Sequence, residues 1–228
     1  ILSSGDDSIR IDSSDSVSVN NNKIYDSKQT AIELNASSYS LLNSNKIQST
    51  VSYGIDLQGA SEYNTIDGNN IDSPDYQGIY LRSTASNNVV SNNTIEGSTF
   101  DAGIHALSDY NSIEGNYASN SGCSGIVLSG DYNNVTDNNI SNSGCNGMDL
   151  SGINNIIDSN IIASSASGWE GSYSLMTSSV ISNNNISDSG GATNNNGIVV
   201  SGDETTVIGN IITDSSCTTT CYAISISG

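Results

Sequence analysis

The stretch DYNNVTDNNISNSG, residues 131–144, decides the fold because the chain repeats it. It contains five asparagines and only two large apolar residues, Val135 and Ile140. Such a composition is typical of linkers and disordered segments. Closely related phrases recur as EYNTIDGNNIDS at 62–73, SNNVVSNNTIEGS at 86–98 and DYNSIEGNYASNS at 109–121. A disordered chain has no physical reason to keep this pattern, so the repeat indicates an ordered structure.

One register of asparagines runs through the whole chain at steps of 22 to 26 residues. Its members are Asn22, Asn45, Asn69, Asn93, Asn116, Asn138, Asn160, Asn184 and Asn210. In every repeat an apolar residue precedes the asparagine by three positions, and another follows it by two. A repeat this short cannot bury its own apolar face, so it must stack on its neighbours.

Each repeat also carries a second signal, Gly-Ile-x-Leu or a close variant. The copies are AIEL (31–34), GIDL (54–57), GIYL (78–81), GIHA (103–106), GIVL (125–128), GMDL (147–150), GIVV (197–200) and AISI (223–226). Alternating apolar residues bounded by Gly and Ser predict short, half-buried strands. We therefore predict an all-β fold, a single-stranded parallel β-helix (solenoid) with strands about 4.8 Å apart along its axis. Residues 1–228 would form one domain of about nine to ten coils.

The repeated asparagines are predicted to be structural. A residue at a fixed place in every coil lies beside its own copies, and an inward amide can hydrogen-bond along that stack. An unpaired buried amide would cost about 1–3 kcal/mol, whereas a stacked row satisfies itself, as asparagine ladders do in cross-β assemblies. A second, partial ladder is predicted through Asn64, Asn88, Asn111, Asn133 and Asn155.

The charge of the chain is strongly one-sided. Its 228 residues include 24 acidic and 5 basic side chains, for a net charge of −19. This balance argues against nucleic acid as a partner, because phosphate binding needs clustered Lys and Arg. It suits solubility and cations. No apolar run approaches the roughly 20 residues of a membrane-spanning helix, so no membrane span is expected.

The phrases NNVVSNNTIEGS and GIHAL resemble the repeats of NosD-like and pectin-lyase-like right-handed parallel β-helices. The resemblance covers residues 9 to 227 and implies a right-handed solenoid. Such repeats occur in secreted and cell-surface proteins, including those of methanogenic archaea and their disaggregatases. The superfamily includes polysaccharide lyases, glycoside hydrolases, tail-spike fibres and adhesins, so the fold alone does not define an activity. A metal-delivery role is implied by the NosD resemblance only, and no soft-metal ligand cluster supports it.

Both ends of the chain look like unfinished coils. Residues 223–228 (AISISG) begin a strand, and nothing before Ile1 caps the first coil. Solenoids need capped ends to avoid exposed strand edges. We expect either a longer parent protein or end-to-end self-association.

One outward row of the predicted Gly-Ile-x-Leu strands contains several ionisable side chains. It reads Arg10, Glu33, Asp56, Tyr80, His105, Val127, Asp149, Val199 and Ser225. Glu33 and Asp56 would be neighbours, with Arg82 and the only histidine, His105, one or two coils away. Two carboxylates, a cation and an imidazole can perform acid–base chemistry on a sugar, so these four are the candidate catalytic residues. The alternative is that they are solvated outward side chains, and the resemblance supplies no catalytic residues that map onto this chain.

Four residues are candidates for binding a polysaccharide. Tyr80, Asn35 and Gln58 lie on the same predicted outward face. Trp169 lies with Tyr173 on a longer excursion between coils, where it could stack on a sugar or serve as a packing lid.

No cofactor is expected, and no metal site is assigned. Acidic positions recur at the turns, and hard oxygen ligands suit Ca²⁺, the one ion kept as an option. They are Asp67, Asp72, Glu96, Glu114, Asp137 and Asp158. No loop has a recognised calcium-binding spacing, so solvated charge is the favoured interpretation.

The cysteines and sequons predict an oxidising, extracellular or cell-surface setting. Cys123 and Cys145 occupy the same place in adjacent coils, within the range of a disulfide, and Cys217 and Cys221 could close a small loop. Glycosylation sequons predicted to point outward start at Asn35, Asn134, Asn139 and Asn185.

Two functions remain open. The first is an extracellular surface or fibre-type structural β-helix, with polysaccharide or neighbouring surface proteins as partners. The alternative is a polysaccharide lyase or glycoside hydrolase that uses the acidic residues of the same face.

Overall fold

The computed structural model describes residues 1–2, 4–163, 172–174, 176–187, 197–213 and 222–227. Its strands are three to five residues long and form three parallel sheets. The chain visits the first, second and third sheet in turn and then returns to the first, one coil further along the axis. The predicted all-β parallel β-helix is therefore confirmed.

Within the described ranges, the first sheet contains ten strands and carries the Gly-Ile-x-Leu motifs. Its strands are Ile9–Asp12, Ile32–Asn35, Ile55–Gln58, Ile79–Leu81, Ile104–Ala106, Ile126–Leu128, Met148–Leu150, Ser172–Ser174, Ile198–Val200 and Ile224–Ile226.

In the part of the chain that the structure describes, the second and third sheets contain nine strands each. Those of the second are Ser18–Asn20, Leu41–Asn43, Thr65–Asp67, Val89–Ser91, Ser112–Glu114, Asn134–Thr136, Ile156–Asp158, Val180–Ser182 and Thr206–Ile208. Those of the third are Lys23–Tyr25, Lys46–Thr50, Asn70–Pro74, Thr94–Glu96, Tyr117–Ser119, Asn139–Ser141, Ile161–Ala163, Asn185–Ser187 and Ile211–Thr213.

The core is a set of aliphatic stacks, one or two from each sheet. Ile32 and Leu34 of the first sheet, Leu42 of the second and Ile47 of the third are fully buried, as are their equivalents in the middle coils. Most first-sheet strands are preceded by a glycine, and the close packing at these positions leaves no room for a side chain. A Cβ atom added at Gly78 would collide with the side chain of Ile95. The Gly-Ile motif thus marks the place where the third sheet packs closely against the start of the first.

The main asparagine ladder lies at the bend between the second and third sheets. The Asn116 side chain, only 1% exposed, accepts hydrogen bonds from the backbone N–H and the side-chain amide of Asn93, each at 3.0 Å. Its own amide donates to the Val90 carbonyl and to the Asn138 Oδ1, each at 2.9 Å. The same pattern links every step from Asn45 to Asn210.

The second ladder lies at the bend between the first and second sheets. Here the side-chain oxygens of Asn88 and Asn111 accept the backbone N–H groups of Asn64 and Asn88, both at 2.8 Å. Asn133 and Asn155 continue the row at 2.7 Å. Both predicted ladders are therefore present, and they hold the two bends at a constant spacing from coil to coil.

One part of the chain differs from the sequence-based expectation. Tyr173 was predicted to lie on an excursion between coils, but Ser172–Ser174 is a strand of the first sheet. Tyr173 is the register partner of Asp149 on one side and of Val199 on the other. The sequence signal was lost there because this strand has Ser where the other coils have Ile and Leu.

Candidate functional site

The candidate site lies on the outward face of the first sheet, in its first five coils. Arg10, Glu33, Asp56, Tyr80 and His105 are register partners of one another in consecutive strands. The predicted row is thus assembled as the sequence indicated. Two of its carboxylates are, however, buried rather than solvated, because neighbouring side chains cover them.

Asp56 is held by a bidentate ion pair with Arg82. Its side chain is 1% exposed, and the Arg82 guanidinium donates to both carboxylate oxygens at 2.9–3.1 Å. Burial raises the pKa of Asp56 above its ordinary value, and Arg82 partly offsets this effect. The contact keeps the pKa of Arg82 above its usual range. A sugar could reach this carboxylate only after Arg82 had moved.

Glu33 lies one coil earlier and is paired less completely. Its Oε1 atom is 3.1 Å from Nη1 of Arg10 but makes no hydrogen bond of good geometry. Arg10 is exposed, and besides Glu33 it contacts Asp12, with Nε of Arg10 2.7 Å from Oδ2 of Asp12. Burial raises the pKa of Glu33, and the nearby negative charge of Asp7 raises it further. A hydrogen bond with Gln58 partly offsets this increase. Glu33 is therefore the least satisfied carboxylate of the site.

His105 sits at the far end of the row. The side-chain amide of Gln77 donates to Asp101 at 2.7 Å and lies 3.2 Å from Nδ1 of His105. The ring of His105 is tilted against that of Tyr80, with centroids 5.2 Å apart. Burial lowers the pKa of His105, although the charge of Asp101 opposes this. The histidine is thus favoured in its neutral form at pH 7.

A row of aromatic rings overhangs one edge of the site. Tyr53, Tyr76 and Phe100 occupy the connections that lead from the third sheet to the first in three successive coils, with centroids 6.0 Å apart at both steps. Tyr76 is 45% exposed and Phe100 66% exposed. We did not predict this row, since the three rings stand one, two and three residues before their glycines and so share no register in the sequence.

The aromatic row and the ion pair form one contact network. The Arg82 guanidinium lies over the ring of Tyr80 at 4.8 Å and over that of Tyr53 at 5.3 Å. Tyr53 and Tyr80 also contact each other, with centroids 5.4 Å apart. The orientation of the guanidinium plane is therefore fixed both by its hydrogen bonds with Asp56 and by its stacking on two rings.

A cavity of about 290 Å³ is lined by residues of the same connections. Val51, Asp75 and Thr99 belong to the segments that carry the three rings. The rest of its lining consists of Asp26, Lys28, Ser49, Thr50 and Ser73. Hydroxyl groups and charges of both signs therefore line a cavity formed partly by the segments that carry the three rings.

The other predicted binding residues are dispersed. Asn35 is half-buried, and its side-chain amide donates to Asp12 at 3.0 Å, so its sequon is less accessible than we expected. Gln58 is half-buried beside Glu33. Trp169 lies outside the described residues.

The remaining sequons and the cysteines lie away from the site. Asn134, Asn139 and Asn185 are exposed on outward positions of the second and third sheets. Cys123 and Cys145 form a disulfide between adjacent coils, with Cα atoms 4.5 Å apart. Cys217 and Cys221 lie outside the described residues.

The described ranges contain no group of three or more His, Cys, Asp or Glu side chains arranged to hold a metal ion. Two of the recurring turn acids have local roles instead. Asp67 accepts hydrogen bonds from Ser91 and Asn92, and Asp158 accepts them from Ser182 and Asn183. Calcium binding stays an untested expectation. Within the same ranges, no helix is long and apolar enough to cross a membrane.

Several solved structures resemble this chain in fold. PfbA, a surface adhesin of Streptococcus pneumoniae, superposes with a TM-score of 0.70 at 15% identity, over 89% of this chain and 60% of that one. A double mutant of the periplasmic alginate epimerase AlgG gives 0.66 at 15% identity, over 86% and 50%. Tailspike protein 2 of an Escherichia coli O157:H7 bacteriophage gives 0.66 at 10% identity, over 93% and 35%.

These identities show a shared fold and no more, and the chain spans 60% or less of each of the three structures. No curated protein matches the sequence. The NosD-like and archaeal-type parts of the resemblance stay expectations. The family model described as "right handed beta helix region" matches residues 1–118, just over half of the chain, and the chain belongs to this family.

Proposed function

We propose that this chain is an extracellular surface or fibre-type β-helix that binds polysaccharide along the outward face of its first sheet. The observation that carries the proposal is the aromatic row of the half-buried Tyr53 and the exposed Tyr76 and Phe100, beside the Arg82–Asp56 pair. Aromatic faces supply apolar contact area for the C–H face of a sugar, and the adjacent polar groups hydrogen-bond its hydroxyls.

The rigidity of the site supports binding. Arg82 is fixed by Asp56 and two rings, and Gln77 is held by Asp101. The strands below them are locked by the asparagine ladders. A surface whose side chains are already ordered loses little conformational entropy when a ligand binds.

The structural neighbours support the same class of role. One is a surface adhesin, one a phage tailspike and one a periplasmic alginate epimerase. The Cys123–Cys145 disulfide agrees with an oxidising compartment. We therefore place the chain outside the cytoplasm, with polysaccharide or neighbouring surface proteins as its partners.

Affinity gel electrophoresis would test the binding. The protein would be run through gels that contain alginate, polygalacturonate or a soluble β-glucan. We expect at least one polysaccharide to retard the wild-type chain and Tyr76→Ala to bind it about tenfold more weakly, since one stacking contact is worth roughly 1–1.5 kcal/mol. Normal mobility in all three gels would contradict the proposal.

The fibre aspect has a separate test. Electron microscopy of the purified native protein is expected to show filaments with an axial repeat close to the length of one chain. Discrete short rods would remove end-to-end self-association from the proposal and leave polysaccharide binding as its remaining part.

A second candidate function is a polysaccharide lyase or glycoside hydrolase. Its specific support is that Glu33 and Asp56 have raised pKa values on adjacent strands, with His105 two coils away. The bidentate contact of Arg82 with Asp56 weighs against it. Release of reducing ends or unsaturated sugars by the wild type, but not by Asp56→Asn, would establish the enzyme.

A further inference from the structure

A second aromatic feature lies along the bend between the first and second sheets. Tyr39 and Tyr63 stack in adjacent coils with centroids 5.2 Å apart and planes 7° apart. Tyr110 and Tyr132 stack in the same way at 4.9 Å and 5°. The four side chains are between 49% and 62% exposed. One coil separates the two pairs, and it carries Asn87 at the equivalent position.

These tyrosines occupy positions with a backbone conformation that is unfavourable for a bulky side chain. Tyr39, Tyr63, Tyr110 and Tyr132 have backbone φ angles of 55° to 58°, in the left-handed region. Bulky side chains are rare there, whereas Asn adopts it readily. Asn87 and Asn154 occupy the same bend position in other coils, with φ angles of 59° and 57°. Unfavourable backbone geometry retained at a surface is a reason to look for a function.

The arrangement leaves two ring faces open toward each other. The ring of Tyr63 is covered on one side by Tyr39 of the preceding coil, and that of Tyr110 by Tyr132 of the following coil. Their opposite faces are therefore directed toward the coil of Asn87. Because Asn is much shorter than Tyr, a slot opens beyond the Asn87 amide. We define this slot by Tyr63, Asn87 and Tyr110.

The width of the slot selects its occupant. Two coil spacings amount to about 9.6 Å. A flat ring in contact with both tyrosines would fill only about 7–8 Å, at roughly 3.5–4 Å per contact. A nucleobase or another planar group would thus sit loosely. A puckered pyranose ring is thicker and has C–H groups on both of its faces, so it fits between the two aromatic faces.

The polar groups around the slot point to the same ligand. In the described part of the chain the Asn87 side-chain amide makes no hydrogen bond, so its donors and acceptor are free to meet hydroxyl groups. Glu62 and Asp109 directly precede Tyr63 and Tyr110. Their carboxylates can accept hydrogen bonds from sugar hydroxyls and would repel a uronic acid polymer.

The slot is preorganised by the ladder beneath it. Asn64, Asn88 and Asn111 follow Tyr63, Asn87 and Tyr110 in the sequence, and their buried amides fix the backbone from coil to coil at 2.8 Å. We propose that the slot between Tyr63 and Tyr110 binds one pyranose unit of a neutral glycan. This site is separate from the face that carries the Arg82–Asp56 pair.

The test uses one substitution that fills the slot and one that does not. Asn87→Tyr would complete a continuous stack of five tyrosines at a position whose backbone already accommodates Tyr in four other coils. Asn154→Tyr would add a ring beyond Tyr132 and leave the slot open. Binding of cellohexaose, chitohexaose and maltohexaose to all three proteins would be measured by NMR titration at up to about millimolar concentration.

We expect at least one hexasaccharide to bind the wild type and Asn154→Tyr equally, and Asn87→Tyr at least tenfold more weakly. The circular dichroism spectra of both variants should match that of the wild type. Binding to none of the three sugars, or equal binding by Asn87→Tyr, would overturn the proposal. The titrations would be repeated in a Tyr76→Ala/Phe100→Ala background, which removes the exposed rings beside the first sheet, so that failure of this proposal and failure of the first-sheet polysaccharide site can be told apart.

Discussion

The Arg82 guanidinium donates hydrogen bonds to both carboxylate oxygens of Asp56 at the centre of the candidate site on the outward face of the first sheet. The acid is 1% exposed, whereas the Arg82 side chain is 36% exposed and rests on two tyrosine rings. A buried charge without its partner is strongly destabilising, so the pair secures the fold at this point. It also places an ordered cation beside the exposed aromatic row.

Removal of this cation should destabilise the chain. Arg82→Gln is expected to lower the free energy of unfolding by about 2–4 kcal/mol at pH 7, because the Asp56 carboxylate loses its counter-charge in a buried place. The matched control is Arg10→Gln, since Arg10 is exposed and its partners are shared. Urea unfolding would measure both variants, and equal losses would show that the Arg82 pair has no special role.

The stability of the chain should increase on mild acidification. Burial raises the folded-state pKa values of Asp56 and Glu33 above their ordinary values of 3.8 and 4.5. The folded state therefore binds protons more readily than the unfolded state at these two sites. Their unfavourable contribution is full at pH 7 and is relieved as the pH falls through the folded-state pKa values. We expect a higher urea midpoint at pH 5 than at pH 7.

A control separates this effect from the general relief of negative charge. The Glu33→Gln/Asp56→Asn double variant keeps most of the net charge and should show a smaller increase between pH 7 and pH 5. At lower pH the trend should reverse, because Asp12 and Asp158 have lowered pKa values and their stabilising contacts are lost as they protonate. A wild-type midpoint that falls from pH 7 to pH 5 would contradict the account.

The asparagine ladder should be a major source of stability. Asn116→Ala removes a side chain with four hydrogen bonds to two neighbouring coils and leaves buried groups of Asn93 and Asn138 unpaired. We expect a loss of about 2–4 kcal/mol. Asn139→Ala, at an exposed position of the third sheet, should change stability by about 0.5 kcal/mol or less. Similar losses in the two variants would mean that the ladder makes no special contribution to stability.

The disulfide can be tested without mutation. Cys123 and Cys145 are 22 residues apart, and their bond closes one coil. A bond across a loop of this size contributes about 2–4 kcal/mol, so reduction should lower the thermal midpoint. Alkylation of the native protein under denaturing, non-reducing conditions, followed by mass spectrometry, should leave both cysteines unlabelled. Labelling of both would contradict the bond and weaken the extracellular assignment.

The fold could be predicted almost entirely from the sequence, because successive coils of a solenoid place the same residue types at equivalent positions. Asn116 and Ile113 each have counterparts in eight other coils, so chance cannot explain the register. The strand Ser172–Ser174 was missed where the repeat has serine at the two apolar positions. A period can be recognised only where the residue types persist.

The site could be predicted only in part. The row from Arg10 to His105 followed from the register, but Asp56 is covered by Arg82, which lies in a connection just after the strand Ile79–Leu81, and the repeat does not specify the paths of such connections. The aromatic row was missed for the same reason. The stacked tyrosines did share a register, in the phrases EYN at 62 and DYN at 109 and 131, and that signal was available in the sequence.

Polysaccharide binding beside the first sheet is tested most directly by comparing two double variants. Tyr76→Ala/Phe100→Ala removes the exposed rings of the candidate face, and Tyr117→Ala/Ile161→Ala removes exposed apolar side chains from the third sheet. We expect the first variant to lose its retardation in the affinity gel and the second to bind like the wild type. Equal retardation of both variants would show that the aromatic row is not the binding surface.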